Sequence, residues 1–161
     1  MDVPRQERRG GEAVGETKLI AVVNGPNLNL LGEREPDVYG CTAWEEIRED
    51  LLKAAEGRGV ELEFFQSNHE GAIIDYLQGL RGRARGLIIN PGALTHYSYS
   101  LRDALSALEI PKVEVHLTNI LGREDWRSRS VTAPAVRGVI CGMGADVYHL
   151  ALKALINNMD G

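Results

Sequence analysis

The sequence predicts an open α/β fold, a parallel sheet with helices on both faces, and two observations carry that reading. Short apolar runs rich in β-branched residues alternate five times with segments of helical periodicity, beginning with Leu19–Val23 and the segment after Thr42. Such alternation gives a parallel sheet covered on both sides. Two of the runs, Leu19–Val23 and Gly86–Ile89, stop abruptly in breaker clusters, Asn24-Gly25-Pro26-Asn27 and Asn90-Pro91-Gly92. Each of these must turn the chain at the end of a buried strand.

Taken in order, Leu19–Val23 reads as a strand buried on both faces, followed by a long loop to about Thr42. Loops of that length inside a domain are usually functional, and this one reads as an active-site lid. Thr42 with Glu45 has the form of a capping box, and Trp44, Ile47, Leu51 and Ala55 form one helical face that ends near Gly57 or Gly59. Val60, Leu62 and Phe64 alternate with Glu61 and Glu63, a strand with one wetter face. Ser67 with Glu70 is a second capping-box pattern, and Ile73, Ile74, Leu77 and Leu80 are the stripe of the next helix. The basic Arg81–Arg85 segment reads as a solvated turn before the strand Gly86–Ile89. Leu101, Ala104, Leu105 and Leu108 mark a third helix that stops before Pro111. Val113, Val115 and Leu117 form a fourth strand, then a polar loop with a short helix carries Arg123, Trp126 and Arg127. Val139–Cys141 is the fifth strand, and Tyr148, Leu152, Leu155 and Ile156 pace the closing helix. Five such strands suit the flavodoxin-like order 2-1-3-4-5, whose switch point lies between the first and third strands.

At 161 residues the chain suits one domain with a substantial core. A net charge of −5 advertises neither nucleic acid nor a membrane surface, so an anionic substrate must be held by a few placed groups. The two cysteines, Cys41 and Cys141, lie far apart, which argues against structural zinc and a disulfide framework. Residues 1–17 mix arginines, glutamates and glycines without an apolar stretch, and read as a disordered tail rather than a secretory signal. Residues 18–161 then form the single domain, and a cytoplasmic location is expected.

Ligands of open parallel sheets bind beyond the carboxyl ends of the strands at the switch point. That rule gathers Asn27, Arg34 and Tyr39 after strand one, Asn90, Gly92 and His96 after strand three, and His116, Thr118, Asn119, Arg123 and Arg127 after strand four. Glu114 and His116 share a strand face, so a carboxylate can sit beside an imidazole, favour its charged form and fix its tautomer. Arg123 and Arg127, four apart, would share a helical face and could fork onto a lid carboxylate or substrate hydroxyls. Lys18 and Lys112 open strands at the opposite edge, while Lys53 and Lys153 fall in helices, so no lysine is placed for a Schiff base. The loop after strand one has no Ser or Thr for a flavin phosphate, and no carboxylate–histidine set has metal spacing. Tyrosine, arginine, histidine and amides remain, a palette suited to proton transfer with stabilisation of an oxyanion.

The motifs GPNLNLLGEREPDVYG (Gly25–Gly40), QSNHEG (Gln66–Gly71), INPGALTH (Ile89–His96), LRDAL (Leu101–Leu105) and EVHLTN (Glu114–Asn119) resemble those of type II 3-dehydroquinate dehydratases. The resemblance implies a flavodoxin-like subunit, a dodecamer of four trimers, and cofactor-free elimination of water from 3-dehydroquinate to give 3-dehydroshikimate, in the shikimate or quinate pathway. It implies that Tyr39 is the general base and Arg34 the lid arginine favouring its phenolate, and that Asn27 holds a water against the developing enolate. His116 then protonates the leaving hydroxyl, with Glu114 holding its ring and Asn90 assisting. Leu117, through its amide, and Thr118 match the substrate-carboxylate site, His96 and Arg127 the ring hydroxyls, and Arg123 a lid partner. Asp103 matches a residue that reaches a neighbouring subunit's site. The chain departs from the usual pattern at Tyr97 for Thr, Gly122 for Ala, Trp126 for Phe and Arg129 for His, and in its Gly144-Ala145-Asp146 turn. Two other readings stay open: a diverged paralogue acting on a related cyclic hydroxy acid, and a non-catalytic module binding a nucleotide or flavin.

Overall fold

The computed structural model describes residues 15–33 and 35–159. Most of the expected N-terminal tail, residues 1–14, lies outside the described residues. Five parallel strands, β1 (Lys18–Asn24), β2 (Val60–Gln66), β3 (Ala84–Asn90), β4 (Lys112–His116) and β5 (Gly138–Cys141), form one sheet in the order β2-β1-β3-β4-β5. The order expected from the alternation is the one observed. The register sets Asn24 of β1 beside Gln66 and Asn90, and Ile89 beside Glu114, so the chemistry-bearing ends of the central strands line up at one edge.

Alternation along the strands splits the core in two. Ile20, Val22, Ile88, Val113 and Val115 face helices α2 (Trp44–Ala55) and α5 (Asp146–Asn158), through Ile47, Leu51, Leu152 and Leu155. Ala21, Val23, Leu87 and Ile89 face α3 (Glu70–Gly79) and α4 (Tyr99–Ala107), through Ile73, Leu77, Leu101 and Leu105. Each fully buried aliphatic side chain in these layers contributes about 1.5–3 kcal/mol, so sheet and helices hold each other in place. Among the described residues no helix is long and apolar enough to cross a membrane.

Three local expectations need correction. The stretch between β1 and Thr42 is not free of regular structure: it holds a 3₁₀ turn, Leu28–Leu30, and a one-turn helix, α1 (Pro36–Tyr39). Glu35 takes φ 44° before α1, a left-handed backbone that residues other than glycine seldom adopt. Neither capping box forms. α2 starts at Trp44 with Ala43 at its N-cap and no side-chain cap, and a Cβ on Gly32 would stand 3.0 Å from the Ala43 Cα, which leaves no room for a side chain there. At α3 the Ser67 hydroxyl accepts from the His69 amide at 3.0 Å, and the Glu70 carboxylate instead accepts from the Ser98 hydroxyl, tying α3 to the N-cap of α4. Arg81–Arg85 is not wholly a solvated turn either, since Ala84 already opens β3 and Arg83 forks onto Glu63 at 2.8 Å through both terminal nitrogens.

Candidate active site

The two breaker clusters pack against one another and build the floor of a crevice. Gly25 donates its amide to the Asn90 carbonyl at 2.8 Å, and a Cβ on Gly25 would stand 2.4 Å from the Pro91 oxygen, so only glycine fits. The next turn is tied from β2's end: Gln66 Nε2 donates to the Gly25 carbonyl and to Asn68 Oδ1, and Asn68 Oδ1 accepts from the Asn27 amide at 2.9 Å. Asn27 itself sits at φ 68°, a left-handed conformation that asparagine tolerates better than most residues. Below this floor, the fully buried Tyr148 of α5 donates its hydroxyl to Asn24 Oδ1 at 2.6 Å and accepts from Asn90 Nδ2 at 3.1 Å. Burial pushes the Tyr148 phenol well above its usual range, so it stays a neutral strut across the β1–β3 junction.

Asn27, Tyr39, Asn90, His96, His116, Leu117, Thr118, Arg123 and Arg127 all line this crevice. Of the other expected residues, Glu114 lies behind His116, Asp103 is exposed on α4 away from the crevice, and Arg34 is outside the described residues. Asn119 turns aside to cap a 3₁₀ turn, accepting from the Leu121 amide at 3.2 Å. The Asn90 amide is engaged on both ends, its Oδ1 accepting from the Gly92 amide at 3.2 Å and its Nδ2 bound to Tyr148, so it holds the floor rigid.

His116 and Glu114 are paired inside the protein, with Nε2 2.7 Å from Oε1. The carboxylate takes two further hydrogen bonds, from Thr95 Oγ1 at 2.6 Å and from Thr132 Oγ1 at 2.7 Å. Burial alone would push the Glu114 carboxyl up, but the bonds from His116, Thr95 and Thr132 outweigh it and hold it below the usual carboxylate range. An ionised carboxylate only accepts, so His116 donates from Nε2 and leaves Nδ1 for whatever enters the crevice. Thr95, Ser130 and Thr132 share hydroxyl contacts of 2.7–2.8 Å around this carboxylate. They had no signature in the sequence, because the contacts join segments 18 to 37 residues apart.

On the lid side, Arg123 Nη1 donates to the Tyr39 hydroxyl at 3.1 Å and to Thr118 Oγ1 at 3.3 Å, with its guanidinium 5.2 Å from the Tyr39 ring centre. Arg123 and Arg127 do not share one helix. Arg123 follows the turn Ile120–Gly122 and Arg127 lies in a second turn, Asp125–Ser128, yet both point into the crevice because Glu124 sits between them. Glu124 Oε2 is 2.8 Å from Arg127 Nε and 3.6 Å from Arg123 Nε, a bridging role that the sequence did not single out. His96 is held through Nδ1, 2.7 Å from the Arg129 carbonyl. Partial burial pushes its imidazole below the usual value and the charges of His116 and Arg127 add to this, against the Arg129 carbonyl. A carbonyl accepts only, so the neutral ring carries its proton on Nδ1 and offers Nε2 as an acceptor.

A doubly wound sheet whose switch-point crevice holds a phenol beside a guanidinium and an imidazole backed by a buried carboxylate defines a protein equipped for general acid–base chemistry on a small polar molecule. The chain belongs to the dehydroquinase class II family, whose profile matches residues 18–156. It is 52% identical over 139 residues to a 3-dehydroquinate dehydratase of Halalkalibacterium halodurans, covering 86% of this chain and 96% of that relative. A 3-dehydroquinate dehydratase of Pelotomaculum thermopropionicum is 55% identical over 135 residues, covering 84% of this chain and 94% of its own. Among solved structures, the type II dehydroquinase of Butyrivibrio crossotus superposes with a TM-score of 0.85 at 45% identity, over 88% of this chain and 99% of that one.

Proposed function

We propose that this chain is a type II 3-dehydroquinate dehydratase, which eliminates water from 3-dehydroquinate to give 3-dehydroshikimate through an enolate, without a cofactor and within the shikimate or quinate pathway. The observation that supports this best is the pairing of Tyr39 with Arg123 and of His116 with Glu114 around one crevice. In this reading the Tyr39 phenolate, stabilised by the Arg123 guanidinium and by Arg34, takes the proton next to the ketone. The electron pair moves onto the ketone oxygen, and Asn27 holds a water against that enolate. Collapse of the enolate breaks the carbon–oxygen bond as the His116 imidazolium passes a proton from Nδ1 to the departing hydroxyl, which leaves as water. Tyr39 then returns its proton to solvent and His116 regains one. The buried Glu114 carboxylate balances the charge on His116 and orients the ring.

Leu117 and Thr118 hold the substrate carboxylate, and His96, Arg127 and the rigid Asn90 meet the hydroxyl groups. In the same reading Asp103, exposed on α4, reaches a neighbouring subunit's crevice in a dodecamer of four trimers. The enzyme works in the cytoplasm, and residues 18–161 make up its single catalytic domain. The test is a steady-state assay with 3-dehydroquinate that follows the conjugated enone of the product, with a borohydride-treated sample in parallel. Turnover that survives borohydride supports the reaction and the lack of a Schiff base. A well-folded protein without turnover contradicts it and points to a related ring acid as substrate.

A further inference from the structure

Trp126 lies in the polar loop after β4, and it lines no part of the crevice. Its indole nonetheless touches two side chains that do. The His96 ring meets it edge-on, with centroids 5.1 Å apart and planes at 83°. The Arg127 guanidinium lies 4.0 Å from the indole centre, within cation–π range. Among the described residues, each of these two groups is held elsewhere by one polar contact: His96 at the Arg129 carbonyl through Nδ1, and Arg127 at Glu124 through Nε. One hydrogen bond leaves an imidazole or a guanidinium free to swing about that bond. A second, planar contact from the same indole removes this freedom for both.

We infer that Trp126 is a positioning residue that fixes His96 and Arg127 together, and thereby sets the affinity of the crevice for the hydroxyl groups of the substrate ring. The inference rests on the proposed dehydratase reaction. Trp126 works on both contacts at once because residues 126, 127 and 129 come from one short stretch of chain that wraps past His96. With neutral His96 offering Nε2 as acceptor and Arg127 offering donors, the braced pair reads hydroxyl groups on one side of the ring. Such contacts are made alike in the ground state and the transition state, so Trp126 acts on binding and leaves the chemical step alone. The indole is 52% exposed and outside both core clusters, so its removal leaves the fold intact.

The experiment is steady-state kinetics on 3-dehydroquinate with the wild type, Trp126→Phe and Trp126→Ala, each checked for an unchanged melting temperature. Loss of the two ring contacts is expected to raise KM about tenfold in Trp126→Ala while kcat changes by less than about threefold. Trp126→Phe, which keeps an aromatic face, restores KM to within about threefold of the wild type. In an Arg127→Ala background, Trp126→Ala has a smaller effect on KM than it has alone, because the two residues share one contact. An active wild type with unchanged KM in Trp126→Ala, or with a loss confined to kcat, overturns this inference alone. A wild type with no turnover overturns the dehydratase reading and this inference with it.

Discussion

Arg123 and Tyr39 lie 84 residues apart in the chain, and the guanidinium donates a hydrogen bond to the phenol across the crevice at 3.1 Å. The fold brings them together from the loop after β4 and the end of α1, so a cation waits beside the group proposed as base before any substrate arrives. A charge-assisted bond of this kind stabilises negative charge on the phenolic oxygen. Arg123→Met keeps most of the stem and removes the charge. Steady-state kinetics should show kcat/KM falling by about 10²–10³-fold, as when a fixed donor to a catalytic oxyanion is lost. A loss below about threefold would remove Arg123 from the mechanism.

Thr132 is fully buried and donates to Glu114 Oε2 at 2.7 Å. Thr132→Val has nearly the same shape and no donor, so a buried carboxylate loses one of its bonds. Urea denaturation should show a loss of about 1–3 kcal/mol, and kcat should fall as the ring of His116 loses its fixed partner. Thr132→Ser, which keeps the hydroxyl, should recover most of both.

Gly25 shows how tightly the floor is built. Gly25→Ala would set a methyl group 2.4 Å from the Pro91 carbonyl, against backbone that cannot swing aside. Forcing the two loops apart should cost about 1–3 kcal/mol or more in stability. Turnover should drop as well, since Asn27 lies in one of those loops and Asn90 ends the strand that leads into the other. A variant with wild-type melting and activity would show that the loops yield freely.

The rim of the sheet carries its own pH signature. Hydrogen bonds from Arg83 and then Tyr76 lower the Glu63 carboxyl from an ordinary 4.5 to about 2. A carboxyl depressed on folding adds stability above its unfolded value, and that contribution is lost as pH falls through the folded one. Melting curves should therefore separate wild type from Glu63→Gln most above pH 4.5 and converge as pH falls toward 2. A separation independent of pH would assign the effect to shape rather than charge.

The sheet order and both apolar layers were legible in the sequence because alternation and helical stripes are local signals, as Ile20 and Val22 against Ala21 and Val23 illustrate. The crevice was legible through the rule that ligands sit at the switch point, which gathered Tyr39, His96, His116, Arg123 and Arg127 from three separate loops. What escaped was tertiary. Tyr148 paces a helix like any apolar residue, yet its hydroxyl bonds a residue 124 positions away. The capping box before α3 failed because Ser67 and Glu70 found other partners, a competition that no spacing reveals. Arg123 and Arg127 have helical spacing but meet through Glu124 and two separate turns.

The most direct test compares the wild type with Tyr39→Phe in the same assay with 3-dehydroquinate. This change removes one oxygen atom and leaves the ring in place beneath Arg123. If Tyr39 is the base, the variant folds and melts as the wild type does and loses at least about 10²–10⁴-fold in kcat. A folded Tyr39→Phe protein that keeps most of its turnover would contradict the assignment and require another group in the crevice to take the proton.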